Sequence, residues 1–263
     1  HMLVDLARGG LFGAHSAILA LDLGEPRRII CSLALVGAIA LERGEARGRD
    51  WLKEAERIAD KIGDQYGTAF VSLCWGLVHR GRGAWPQALA ALELGFNLLP
   101  AGTAWEQGLA SASLMATLEA LGDLSALALR SQQIAQVAQD LGSRRMSCLG
   151  LAYSAWTELA ADEPARAQRR LAEVAAALAG EEFQVVHLHA LKVDVDRLIY
   201  LGDPRAAWAR ISAHWPALER SSVMKTGLRR LMAISLRARA GLALYATGAP
   251  GSDFLYECVF RPS

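Results

Sequence analysis

Residues 72–100, SLCWGLVHRGRGAWPQALAALELGFNLLP, hold two apolar stretches of helical period around one turn. The turn is Arg80-Gly-Arg-Gly83, a pair of glycines among charges that no helix interior favours. The pattern predicts helices near 65–80 and 85–99, with Pro100 ending the second because proline cannot continue the hydrogen-bond ladder. Gly76, Ala88 and Gly95 are small residues on these two helices. Residues of that size let antiparallel helices approach closely.

Related turns recur on both sides: LGEP at 23–26, ERGE at 42–45, LGDL at 121–124, ADEP at 161–164 and LGDP at 201–204. Further breaks fall at Gly63-Asp64, Pro100–Gly102, Gly142-Ser143 and Gly180. The chain therefore predicts helices near 3–22, 26–43, 48–62, 65–80, 85–99, 103–121, 124–141, 144–160, 164–179, 182–201, 204–219 and 223–246. The first helix of each pair starts near 26, 65, 103, 143, 181 and 222, in steps of 39, 38, 40, 38 and 41 residues. A two-helix unit at nearly constant period is the mark of an α-solenoid, because one pair cannot bury both of its apolar faces and stacked pairs can. The expected fold is all-α, an α-solenoid of about six antiparallel helix pairs over residues 3–247.

Composition agrees. The 263 residues are 52% hydrophobic, 7% aromatic and 21% charged, with 28 Lys+Arg against 27 Asp+Glu. That hydrophobicity excludes a disordered chain, and the balanced charge offers no overall attraction to nucleic acid or membrane. The longest uncharged apolar run, Ile29–Leu41, has 13 residues, too short to span a bilayer. Cys31, Cys74, Cys148 and Cys258 lie far apart, the first three in apolar stretches where cysteine behaves as a small hydrophobe. Unpaired cysteines, and no cationic start followed by an apolar region and cleavage site, point to a reducing, cytoplasmic compartment. His1-Met2 reads as the remnant of an expression tag, and Leu3 starts inside a helical pattern, so a piece of a longer protein is expected. From Gly248 to Ser263 the chain leaves the repeat pattern, and FLYECVF at 254–260 reads as a strand-like cap or a disordered remnant.

The positions of Gly76, Ala88, Gly95 and Pro100 resemble the small-residue and proline positions of the tetratricopeptide repeat. Ala167 and Ala207 match the second-helix small position elsewhere, while Ala155 and Val195 stand at the first-helix position, so the array is a divergent, TPR-like one, and the resemblance implies a right-handed superhelix. A second resemblance runs through AILALDLGEPRRIICSLALVGAIALERGEA at 17–46, LKEAERIADKIGD at 52–64 and YLGDPRAAWARI at 200–211. These are similar to the helical C-terminal region of bacterial signalling serine/threonine kinases, and to helical arrays of large ATP-dependent LuxR-type activators. That resemblance implies a kinase domain preceding Leu3 in the parent protein and a regulatory role for this segment.

No kinase chemistry is expected in the segment itself. A glycine-rich phosphate loop, an HRD-type catalytic loop and a DFG metal site are all missing from the sequence. Arg8–Gly13 and Gly81-Arg-Gly83 lack the strand–loop–helix setting and the lysine of a P-loop. His187 and His189, two apart on a helix, point in different directions and cannot share one metal. The sequence thus predicts no catalytic residue, no metal and no cofactor.

The stronger constellation is His189, Lys192 and Asp196, which share a helical face at i, i+3 and i+7. With Ala207 placed at the repeat's second-helix alanine, the TPR resemblance puts these three on positions lining a concave groove. It puts Phe70, Leu73, Leu77, Arg80, Glu119 and Trp156 on equivalent positions in other repeats. The functional reading is a groove for a peptide or partner helix; the competing one is a solvated polar face with a Lys192–Asp196 ion pair. Most of the seven tryptophans are expected in helix packing, and Trp75, His79 and Glu106 form a weaker candidate pocket.

Charge is uneven late in the chain. From Arg220 to Ser252 there are six basic residues and no acid, with Lys225, Arg229, Arg230 and Arg237 forming a basic patch beside Leu228, Leu231 and Ile234. Such a helix suits an acidic partner or anionic surface, or is balanced by neighbouring helices. Aromatic residues are not interleaved with it, so nucleic acid is not an expected partner. The leading expectation is a non-catalytic protein-interaction and regulatory module whose partner is another protein, a peptide or a domain of the same parent. A small-molecule sensor is the alternative, and self-association through the solenoid ends a further one.

Overall fold

The structure, a computed structural model, describes residues 6–100, 102–140, 142–225 and 227–248. These residues form twelve α-helices, one 3₁₀ turn and no strand. The segment FLYECVF, Cys258 and the His1-Met2 pair lie outside them. In chain order the helices are α1 (Leu6–Leu23), α2 (Pro26–Glu42), α3 (Gly48–Ile62), α4 (Gln65–Gly81), α5 (Trp85–Leu98), α6 (Ala104–Leu121), α7 (Leu124–Asp140), α8 (Arg144–Ala160), α9 (Pro164–Ala177), α10 (Val185–Tyr200), α11 (Pro204–Arg220) and α12 (Gly227–Tyr245). None of them is long and apolar enough to cross a membrane.

Their ends follow from local chemistry. Glu25 caps α2 by accepting from Arg28 N–H, and Asp203 caps α11 by accepting from Ala206 N–H, each followed by a proline at the first helical position. Gly63 and Gly122 close α3 and α6 in the left-handed conformation, which costs glycine no side-chain clash. Three boundaries differ from expectation. Helix α9 stops at Ala177, and α10 begins at Val185 rather than near 182, because the His187 ring folds back so that Nδ1 accepts from Gln184 N–H at 3.0 Å. The last helix is preceded by a 3₁₀ turn over Ser222–Lys225.

The chain divides into two compact units, His1–Arg130 and Ser131–Ser263. The division falls inside α7. In the first unit α2 packs on α3, α4 on α5, and the first helices α2 and α4 on each other. One core of this unit joins Ile30, Ala34 and Leu41 of α2, Leu52 and Ala55 of α3, and Phe70, Cys74 and Val78 of α4. In the second unit α8 packs on α9, α10 on α11, and α10 touches both α8 and α12. Its core includes Leu159 and Leu171, then Leu191, Val195, Ile211 and Leu236. Each fully buried leucine or isoleucine contributes about 1.5–3 kcal/mol.

Within the pairs, backbones nearly touch. A Cβ on Gly95 would lie 2.7 Å from Leu73 Cδ2 and 2.9 Å from the Ala69 carbonyl, and one on Gly76 would meet Leu92 at 2.5 Å. An equivalent contact, unmarked in the sequence pattern, joins α2 to α3: a Cβ on Gly37 would sit 2.8 Å from the Gly48 carbonyl. Polar bonds link equivalent places one repeat apart. Arg27 grips Asp64 through two bonds of 2.9 Å across 37 residues, Tyr66 Oη donates to Glu106 at 2.7 Å across 40, and Tyr200 donates to Asp162 across 38. These separations reproduce the repeat period. Arg27 holds the Asp64 carboxyl below its ordinary range, outweighing the opposing effect of burial.

Burial lowers the affinity of the His187 ring for protons, and the nearby Glu181 only partly offsets it. The unfolded chain therefore binds the proton more readily. Stability should be complete above the ordinary imidazole value of about 6.5 and fall as the pH drops through and below it. Protonated Nδ1 also loses its capacity to accept from Gln184. Urea unfolding from pH 7.5 to 5.5 is expected to show this decline, and His187→Gln to make the dependence shallower. An unchanged slope in the variant would assign the decline to other groups, His79 included, whose proton affinity burial also lowers.

Candidate functional site

In the second unit three first helices, α8, α10 and α12, present polar and aromatic side chains to one another. Trp156 leaves α8 and Lys192 leaves α10, so that Lys192 Nζ stands 3.8 Å from the centre of the indole ring. One turn further along α10, Asp196 Oδ2 lies 3.4 Å from the same ammonium. Arg239 of α12 completes the row with Nη2 2.8 Å from Asp196 Oδ1. Cation on ring, carboxylate on cation, guanidinium on carboxylate: the alternation leaves every charge in the row with an opposite or polarisable neighbour. The Lys192 and Asp196 side chains are largely buried, whereas about half of Arg239 meets solvent.

His189 joins the row from one turn earlier, its ring centre 5.0 Å from that of Tyr153 on α8. It is buried. His187 stacks on Phe183 at 5.4 Å as it caps α10, so the two histidines serve different contacts, as their spacing requires. The structure thus brings together Trp156, Lys192, Asp196 and, at the edge, His189. Arg239 and Tyr153 complete the cluster but were not singled out by spacing within one helix. Arg239 follows Asp196 by roughly one repeat length, which is the signal that could have found it.

The first-unit positions fare differently. Leu73 is 1% exposed and packs against Leu92, Ala110 and Leu114, because it points into the α4–α5 contact beside Gly95. Phe70 is 6% exposed and belongs to the core formed with α2 and α3. Neither offers an apolar anchor to a ligand, which corrects that part of the groove expectation. Leu77, Arg80 and Glu119 remain partly accessible, and Arg80 and Glu119 each have partners within the protein. Trp75 stacks on His79 at 5.8 Å, but Glu106 is engaged by Tyr66 instead of joining them.

Two further arrangements have no signature in the spacing of the sequence. Asp194, buried on α10, accepts from Arg197 at 2.7 Å and is bonded to Arg210 of α11. Successive acids in Val193-Asp-Val-Asp196 thus serve different neighbours, Asp194 toward α11 and Asp196 toward α12. The second arrangement removes Arg237 from the basic patch: its guanidinium carbon lies 4.2 Å from the ring centre of Trp215 and 5.7 Å from that of Trp208. Lys225 and Arg230 remain exposed, and Arg229 is partly covered and has a partner.

Thiol chemistry is disfavoured at each described cysteine. Cys31, Cys74 and Cys148 are free, and burial raises all three thiols, Cys31 up to about 12 with Asp64 and Glu106 adding to the effect. Among the described residues no three His, Cys, Asp or Glu side chains gather closely enough to hold a metal ion. No family model matches the chain, and no curated protein matches it.

Proposed function

We propose that this chain is a protein-interaction and regulatory module that docks an extended segment or helix of a partner against the first helices α8, α10 and α12. The observation that supports this reading is the continuous row Trp156–Lys192–Asp196–Arg239, assembled from three different helices. A pre-ordered row of one aromatic and three charged groups, two of them cationic, favours a polar segment with a flat or carboxylate anchor, and loses little entropy on binding. Its edges, Trp156 and Arg239, are the groups a partner meets first. By the kinase resemblance, the partner is a domain of the same parent or a protein in its signalling path, and the module regulates without carrying out chemistry.

Panning a random peptide library on the chain and titrating the winning sequence by calorimetry tests this. A shared consensus is expected, together with a loss of affinity of about tenfold or more when Lys192→Met and Asp196→Asn are combined. The double change leaves no buried charge without a partner, since Arg239 can turn to water, so the urea midpoint should hold. Absence of a consensus, or undiminished affinity in the double variant, would reject the site. A rise in melting temperature with a small molecule and no peptide would favour an effector-sensing role.

A further inference from the structure

Helix α12 buries one side and leaves the other open. Ala233, Leu236 and Ala240 are core residues. On the opposite side Leu231 is 64% exposed, Leu242 and Tyr245 are each 52% exposed, and Leu228 is exposed as well. With Ser235 and Ala238 between them, these positions follow one another at alternating steps of three and four residues. That alternation is the seam by which one helix packs along another. It extends for about 26 Å at 1.5 Å per residue. Single apolar residues on a surface need no explanation, but a stripe of this period on one face does.

Charge identifies what fits it. Ile234, 41% exposed, flanks the stripe on one side with Arg230 beyond it, Arg239 borders it on the other, and the chain from Arg220 to Gly248 contains no Asp or Glu. Arg239 is already engaged by Asp196, whereas Arg230 and Lys225 are exposed and make no ion pair among the described residues. Two copies of α12 laid together would bring only basic residues and no carboxylate to each other. A lipid surface needs a broad apolar face, and here the polar Ser235 and the small Ala238 interrupt the seam at its middle, with Ile234 alone at its edge there. We infer that α12 docks an amphipathic helix of a separate protein, one whose apolar seam is flanked by carboxylates. The seam would supply contact area, and the arginine border would select acidic over basic partners.

Two synthetic helical peptides of about 20 residues test the inference on the full chain, both with leucine at the seam positions. One carries glutamate at the flanking positions and the other lysine. Calorimetry should show one-to-one binding of the glutamate peptide, weakened by salt, and at least about tenfold weaker binding of the lysine peptide. Leu231→Ser with Leu242→Ser should abolish binding, and Arg230→Glu should weaken the glutamate peptide while improving the lysine one. These side chains are exposed, so the urea midpoint should be unchanged and serves as the folding control. No binding, equal affinity for both peptides, or insensitivity to the seam substitutions would overturn the proposal. So would a concentration-dependent mass in light scattering that the seam substitutions remove, which assigns the stripe to a second copy. Seam-dependent binding to phosphatidylserine vesicles without peptide binding would assign it to a lipid surface and equally overturn it.

Discussion

Replacing Asp194 by alanine is expected to destabilise the protein by about 3–5 kcal/mol, the cost of leaving a buried cation without its partner. Asp194 accepts from Arg197 on its own helix and holds Arg210 of α11. Arg210 is half exposed and can rotate into water, but the Arg197 side chain is only 8% exposed and cannot. The expected loss therefore arises mainly from Arg197. Urea unfolding followed by circular dichroism measures it. A companion experiment separates the loss of attraction from the stranding of charge: Asp194→Leu combined with Arg197→Met should recover most of the stability, because a well-packed apolar pair can replace a buried ion pair at little cost. A single variant that loses less than about 1 kcal/mol would mean that water reaches Arg197 readily.

Gly48→Ala should produce the second large effect, in the first unit. Its new methyl group would stand 2.9 Å from both Ala40 Cβ and the Leu41 backbone nitrogen, and closer still to the Gly37 carbonyl. Backbone cannot yield as a flexible side chain can, so α2 and α3 must separate. Overpacking of this kind costs about 1–3 kcal/mol. For a chain of this size each kcal/mol lowers the melting temperature by about 2–4 °C. Gly81→Ala is the control: nothing lies within 4 Å of the added atom, so alanine's smaller loss of chain entropy should leave stability unchanged or raised. Equal melting temperatures for the two variants would contradict the close approach of α2 and α3.

What the amino-acid pattern reveals, and what it conceals, follows from which forces are local. Helix ends depend on residues within one turn, so LGEP, LGDP and the αL glycines announce them directly, and the helices fall close to their expected limits. The exceptions are nonlocal in kind. The start of α10 is set by a histidine ring reaching back to a backbone N–H, a choice that depends on the rotamer adopted. Within the site, Lys192 and Asp196 share a helix, so spacing alone could pair them. Their attachment to Trp156 and Arg239 depends on how α8 and α12 pack against α10, which a single-helix pattern does not encode. Leu73 illustrates the reverse difficulty: an apolar residue on a first helix can face a groove or the paired second helix, and only the close approach at Gly95 decides for the latter.

The cations stacked on indoles have an optical consequence. Trp51 lies beneath Arg47, Trp156 beneath Lys192, and Trp208 and Trp215 beside Arg237. A positive charge a few ångströms from an indole shifts the energy of its excited dipole, so the emission colour of each ring records where its cation stands. Lys192 and Arg237 lie on α10 and α12, helices of the proposed docking face, while their rings sit on α8 and α11. Any occupant that draws either cation aside should recolour the intrinsic fluorescence without a label, which makes the protein its own indicator of occupancy.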